Sequence, residues 1–223
     1  MPKAIKKIIE KKTDDEQYQE SVDQLRERIQ DRQRSLVKIG AAVVAVLIAA
    51  AGVFFYISAS KAKAASYELE GYKMLAGVTS PGIQPAERYK KALESFSKAY
   101  AEQKRPDIRF YMGICQYEAG NTDEAIKAFQ EVSDSPDLSF AGLGMYKLAM
   151  VYLNKGENEK ALAVLNKLSL TKNAPFQDLA YLESGKILAL QGKSDEAKTK
   201  YQALLTQFPK SPVAAEAKSL IGG

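Results

Sequence analysis

A period of 36 residues runs through the C-terminal half of the chain and limits its fold more than any other feature. Gly120, Gly156 and Gly192 recur at that interval, and so do Ala125, Ala161 and Ala197. The segments MGICQYEAGNTDEAIKAFQEV, KLAMVYLNKGENEKALAVLNKL and SGKILALQGKSDEAKTKYQAL align in one register. A self-similar unit of this size is one supersecondary element that cannot bury its apolar face alone, so neighbours stack into a solenoid. Within each unit the glycine supplies the left-handed residue that ends a first helix. The small residues let adjacent helices approach closely. Acids that follow the turn, Asp123 and Glu124, Glu157 and Glu159, Asp195 and Glu196, meet the positive end of a second helix.

These segments resemble tetratricopeptide repeats, helix-turn-helix units of nominally about 34 residues. Gly113, Ala149 and Gly185 match the family's small residue in helix A, and Gly120, Gly156 and Gly192 its turn glycine. Ala125, Ala161 and Ala197 match the small residue of helix B, and Phe129, Leu165 and Tyr201 the large apolar residue four positions later. Pro209 stands where the terminating proline belongs, whereas Pro136 and Pro175 are offset. A degenerate earlier unit shows in YKKALESFSKAY, with Ala92, Phe96 and Ala99 at helix B positions and a helix A over about Ala59 to Ala76. A last helix near Pro212 to Leu220 closes the stack. The resemblance covers about Ala65 to Ile221 and implies an all-α, right-handed helical solenoid.

Ile39 to Ile57, IGAAVVAVLIAAAGVFFYI, carries no charge and no strongly polar side chain. As a helix it is roughly 28 Å long, against a hydrocarbon core of about 30 Å. A core helix of a soluble domain would show a polar face, and this run has none. Phe54, Phe55 and Tyr56 suit an interfacial aromatic belt. Ala62-Lys63-Ala64 fits a signal-peptidase pattern, but nearly forty residues precede the apolar run, far more than a signal's basic start. An uncleaved single-pass anchor is expected. Arg26, Arg28, Arg32, Arg34 and Lys38 precede it, against Lys61 and Lys63 after it, which places the N-terminus in the cytoplasm. In a bacterium the C-terminal part then lies in the periplasm, with the anchor in the inner membrane. The expected organisation is a cytoplasmic segment 1–38, a transmembrane helix 39–57 and a repeat domain 58–223.

The cytoplasmic segment begins with Lys3, Lys6, Lys7, Lys11 and Lys12, a basic start suited to anionic headgroups. Thr13 or Asp14 is placed to cap a following helix. Along that helix Tyr18, Val22, Leu25, Ile29 and Leu36 alternate steps of four and three, with Arg32 interrupting the seam. Residues 18–36 thus form a short heptad pattern, suited to a copy of the chain or a membrane partner. The other reading is a solvated or lipid-skimming helix, because so few heptads are marginal alone.

The chain has no histidine and one cysteine, Cys115. That removes the commonest general base, Ser-His and Cys-His nucleophile pairs, most zinc sites and any intramolecular disulfide. No phosphate loop and no metal-spaced cluster is present. The net charge of +5 is spread among alternating acids and bases, unlike the basic stripe of a nucleic-acid binder. No cofactor, metal, nucleic acid or catalytic residue is expected. Cys115 reads as a small packing residue.

Repeats of this family bind mainly along the concave face made by their A helices. The family's inward positions fall on Phe110, Ile114 and Tyr117, then Tyr146, Met150 and Leu153, then Leu182, Lys186 and Leu190. This lining is mostly apolar and aromatic and lacks the lysine and asparagine clamp of cochaperone repeats. An apolar groove suits an amphipathic helix or an extended segment; the alternative is that these residues are buried against neighbouring helices. Anchor and repeats together resemble the bacterial ancillary subunit of the Sec translocon. The implied role is handing envelope proteins from translocon subunits, as nascent chains, to a periplasmic chaperone. Scaffolds for wall synthesis or division, and oligomerisers working through the heptads, are the rival expectations.

Overall fold

The structure, a computed structural model, describes residues 14–78 and 82–222. The lysine-rich start, Thr13 and part of the turn before Pro85 lie outside the described residues. The chain divides into two compact units, Met1–Ser58 and Ala59–Gly223. Among the described residues there are nine helices and no strand.

The described part of the first unit is the N-terminal part of α1 (Asp14–Leu75), where the described side chains are almost all exposed. No proline occurs in α1, and this helix is long and apolar enough, by length and composition, to cross a membrane.

In the second unit the last turns of α1 pair with α2 (Pro85–Glu102). Three further pairs follow: α3 (Pro106–Glu118) with α4 (Thr122–Ser133), α5 (Leu138–Asn154) with α6 (Asn158–Leu170), and α7 (Gln177–Leu190) with α8 (Ser194–Gln207). The short α9 (Ala214–Gly222) closes the series. It starts two residues after the expected Pro212, which remains in the turn. Pro85 and Pro106 open α2 and α3, where their missing N–H costs nothing.

The turn glycines of the three clear repeats do what their spacing requires. Gly120, Gly156 and Gly192 have φ of 85°, 75° and 77°. At Gly156 the residue's own N–H reaches Leu153 O at 2.9 Å and the Glu157 N–H reaches Tyr152 O at 2.9 Å. This double bond pattern satisfies carbonyls that the end of α5 would otherwise leave unpaired.

The first, degenerate pair is held by the same chemistry. Gly71 faces the Phe96 ring so closely that a Cβ would stand 2.8 Å from it. Ser60 Oγ donates to Glu102 O at 2.9 Å and accepts from Gln103 Nε2 at 2.9 Å. Arg105 reaches back to the nearly buried Glu68 at 2.8 Å. Ala64 is fully buried, so the residue that completes the signal-like Ala-Lys-Ala motif is part of the repeat core. Tyr72, Phe96 and Tyr111 form an aromatic triangle with centroids 4.9 to 5.5 Å apart, joining this pair to α3. A larger core runs on from Phe129 through Leu148, Leu165 and Leu182 to Tyr201 and Leu204, all buried.

Candidate partner-binding cleft

The A helices carry the candidate residues, and packing sorts these into three groups. Ile114 and Tyr117 on α3, and Met150 on α5, stay partly exposed and come together. With Glu118, Lys147 and Asn154 they line a cleft of about 140 Å³ whose floor is Phe129 and Val151. Asn154 Nδ2 donates a hydrogen bond to the Tyr117 hydroxyl across the cleft. Leu153, also half-buried, packs at the edge of the same core. Residues three or four apart on one helix share a face, which is why Ile114 accompanies Tyr117 and Met150 accompanies Asn154.

Phe110 and Leu182 form the second group, and for these two the buried alternative holds. Phe110 is 8% exposed and Leu182 1% exposed, so both are core residues that offer a partner almost no surface. Phe110 packs its ring 5.6 Å from that of Phe129. Tyr146 is intermediate: the Phe176 ring stacks on it at 5.4 Å and 18°. Phe176 is held there in a left-handed conformation, φ 67°, while Pro175 fills the space beside Gly142, where a Cβ would lie 2.7 Å from the proline ring. The chain's own α6–α7 loop therefore covers one side of Tyr146. Burial, with Glu183 nearby, pushes the Tyr146 phenol pKa up.

The third group is polar or out of register. Lys186 forms ion pairs with Glu183 at 3.1 Å and with Glu216 of α9 at 2.7 Å. Burial works against its ammonium, and the bonds to the two glutamates outweigh it, raising the pKa. Leu190 is 85% exposed at the end of α7. The 36-residue interval carries Tyr117 and Leu153 to Ala189, so Leu190 stands one position past their register. The same interval relates Glu118, the residue after Tyr117, to Asn154, two polar lining groups outside the apolar set.

The paired acids after the turns are tied to the repeat frame. Lys155 meets Asp123 at 2.9 Å, and one repeat on Gln191 meets Glu159 at 2.9 Å. The hydrogen bond from Lys155 holds the Asp123 carboxyl below the usual carboxylate range. Cys115 is fully buried, and burial pushes its thiol pKa up to about 12. Among the described residues no cluster of histidine, cysteine, aspartate or glutamate is arranged to hold a metal ion.

No curated protein matches the chain in sequence. Among solved structures, the crystal structure of MamA is 22% identical, covers 63% of this chain and 85% of its own, and has a TM-score of 0.48. YrrB, described as a TPR protein with an unusual peptide-binding site, is 19% identical over 60% of this chain and 67% of its own, with a TM-score of 0.46. TTC0263, a thermophilic TPR protein of Thermus thermophilus, is 20% identical over 71% of this chain and 79% of its own, with a TM-score of 0.46. A family model described as a tetratricopeptide repeat-like domain matches residues 31–219, and with its helix pairs and turn glycines in register the chain belongs to that family of protein-binding scaffolds.

Proposed function

We infer that the chain is a membrane-anchored scaffold whose α3–α5 cleft receives an apolar segment of a partner protein. The observation that carries this reading is the cleft itself, where Ile114, Tyr117 and Met150 remain open between two polar side chains, Lys147 and Asn154. Apolar walls gain from burying a partner's side chains, and the flanking amide and ammonium are available to its backbone carbonyls. The 39–57 helix serves as anchor, with positive charge keeping residues 1–38 in the cytoplasm and the repeats in the periplasm. Anchoring raises the effective concentration of the cleft at the membrane surface. Beside a Sec translocon, such a cleft would meet emerging envelope proteins or the chaperone that takes them over.

Crosslinking in intact membranes tests this. Recovery of translocon subunits or a periplasmic chaperone supports the reading, provided that Ile114→Gln with Met150→Gln abolishes it while the circular dichroism of the protein is unchanged. Exclusive recovery of wall-synthesis or division enzymes, or unchanged recovery in the double variant, overturns it. A protease-protection assay reads orientation on its own: cleavage of the repeats from the cytoplasmic side contradicts the topology.

A further inference from the structure

The first unit carries an apolar seam that continues beyond the short heptad run of its outer part. Within residues 14–38 the large apolar side chains are Tyr18, Val22, Leu25, Ile29, Leu36 and Val37, and all but Val37 fall on a and d positions. Tyr18, Leu25, Ile29 and Leu36 are 54% to 68% exposed, with no other part of the described first unit to cover them. Extending the same phase without a break gives Ile39, Val43, Val46, Ala50, Val53 and Ile57 in the apolar run. Five of these six are β-branched, whereas of the thirteen other residues between 39 and 57 only Val44 and Ile48 are. A purely apolar run has no need to sort its side chains by shape. Lipid accepts any of them, whereas β-branched side chains are already stiff at χ1 and lose little further rotamer freedom when packed against another helix. The aromatic residues Phe54, Phe55 and Tyr56 all lie off the seam.

The flanking charges are compatible with a second copy of the chain as the occupant. The acids Glu20, Asp23, Glu27 and Asp31 all lie at b, c or f positions, on the outside. The e and g positions carry Gln19, Ser21, Arg26, Arg28, Gln33 and Ser35. In a parallel pair, g faces the e position five residues on, so Ser21 meets Arg26 and Arg28 meets Gln33 of the other helix, and no like charges face each other there. The partner must be a helix that crosses the membrane and continues for some six turns in the same direction, with the same heptad phase on both sides of the boundary. A second copy meets each condition, because two copies inserted alike are necessarily parallel.

We propose that the chain forms a parallel homodimer through one apolar seam that keeps a single heptad phase from Tyr18 to Ile57 and is interrupted at Arg32. The seam spans roughly 58 Å of helix. A straight helix drifts about 20° per heptad from such a repeat, so the two copies wind left-handedly about each other. In the outer heptads Val22 and Ile29 at a with Leu25 at d favour two strands, while Arg32 at d meets the Arg32 of the other copy and costs stability there.

The parallel direction rests on the anchor reading, and the test separates the two. Single cysteines are introduced into the full chain in its native membrane; Cys115, fully buried, stays in place as a silent background. Disulfides need Cα atoms within about 7 Å, which in a parallel pair only a and d positions reach. After mild oxidation, Ile29→Cys and Val46→Cys are expected to give severalfold more covalent dimer than Glu27→Cys and Ile48→Cys. Chain that resists alkaline carbonate extraction yet crosslinks equally at all four positions overturns the seam and leaves the anchor standing. Chain that carbonate extracts overturns the anchor reading, and equal crosslinking of Ile29→Cys and Glu27→Cys in that chain overturns the seam as well. Crosslinking only to a protein of different mass assigns the seam to another partner and overturns the homodimer.

Discussion

Gly113, Ala149 and Gly185 hold one position of the repeat, and the side chain opposite decides which residue stands there. Phe129 and Tyr201 face glycine, whereas the smaller Leu165 occupies the same register position relative to Ala149. A Cβ at Gly113 would lie 2.8 Å from Phe129 Cε1, and at Gly185 it would be closer still to the Tyr201 ring. Both rings are at most 2% exposed and cannot swing away. Gly113→Ala gains about 1 kcal/mol in helix propensity and loses about 1–3 kcal/mol to overpacking, so net destabilisation is expected in urea unfolding, larger for Gly185→Ala. Combining Gly113→Ala with Phe129→Leu recreates the Ala149–Leu165 pair, and the double variant is expected to recover roughly 0.5–3 kcal/mol relative to additivity. Strict additivity would show that the two sites do not share one packing volume. Cys115, with its thiol pKa pushed up to about 12, is expected to resist alkylation at neutral pH until the protein is unfolded.

At the scale of the helix pair, the turn decides where helix A stops. A Cβ at Gly156 would meet nothing within 4 Å, so substitution there loses conformational freedom and nothing else. Gly156→Ala is expected to cost about 1–2 kcal/mol through its left-handed φ, and Gly156→Asn less, measured by thermal unfolding. The three turn glycines and the A-helix small residues were legible because steric need leaves few residue types at those positions. The first pair was harder to read, since Gly71 and Phe96 stand twenty-five residues apart where the later equivalents stand sixteen apart. Its longer turn breaks the period while the packing stays the same. The cleft was legible only in part. Periodicity named the helix face, but whether Phe110 and Leu182 open outward or sink into the core depends on how neighbouring pairs approach.

Across the repeat unit, stability is close to a sum of nearest-neighbour contacts between stacked pairs. The last pair owes its outer cover to α9 and the turn before it, through fully buried Ala217, half-buried Val213 and Ile221, and the Glu216–Lys186 ion pair. Ending the chain before Ser211 also removes the 2.6 Å bond from Ser211 Oγ to Asp178. Such a truncation is expected to lower hydrogen-exchange protection in α7 and α8 severalfold while α3 and α4 keep theirs. Uniform loss across all pairs would show that the array unfolds as one block.

The order of helices, the turn geometry and the length of the apolar run follow from the sequence alone, because each rests on local sterics or on a repeating pattern of burial. The tertiary structure decided which A-helix residues remain open. Ile114, Tyr117 and Met150 border a cleft; Phe110 and Leu182 do not, and Tyr146 is half covered by Phe176 from a loop thirty residues further on. Exposure depends on all the neighbours of a side chain at once, and no single period along the chain encodes them.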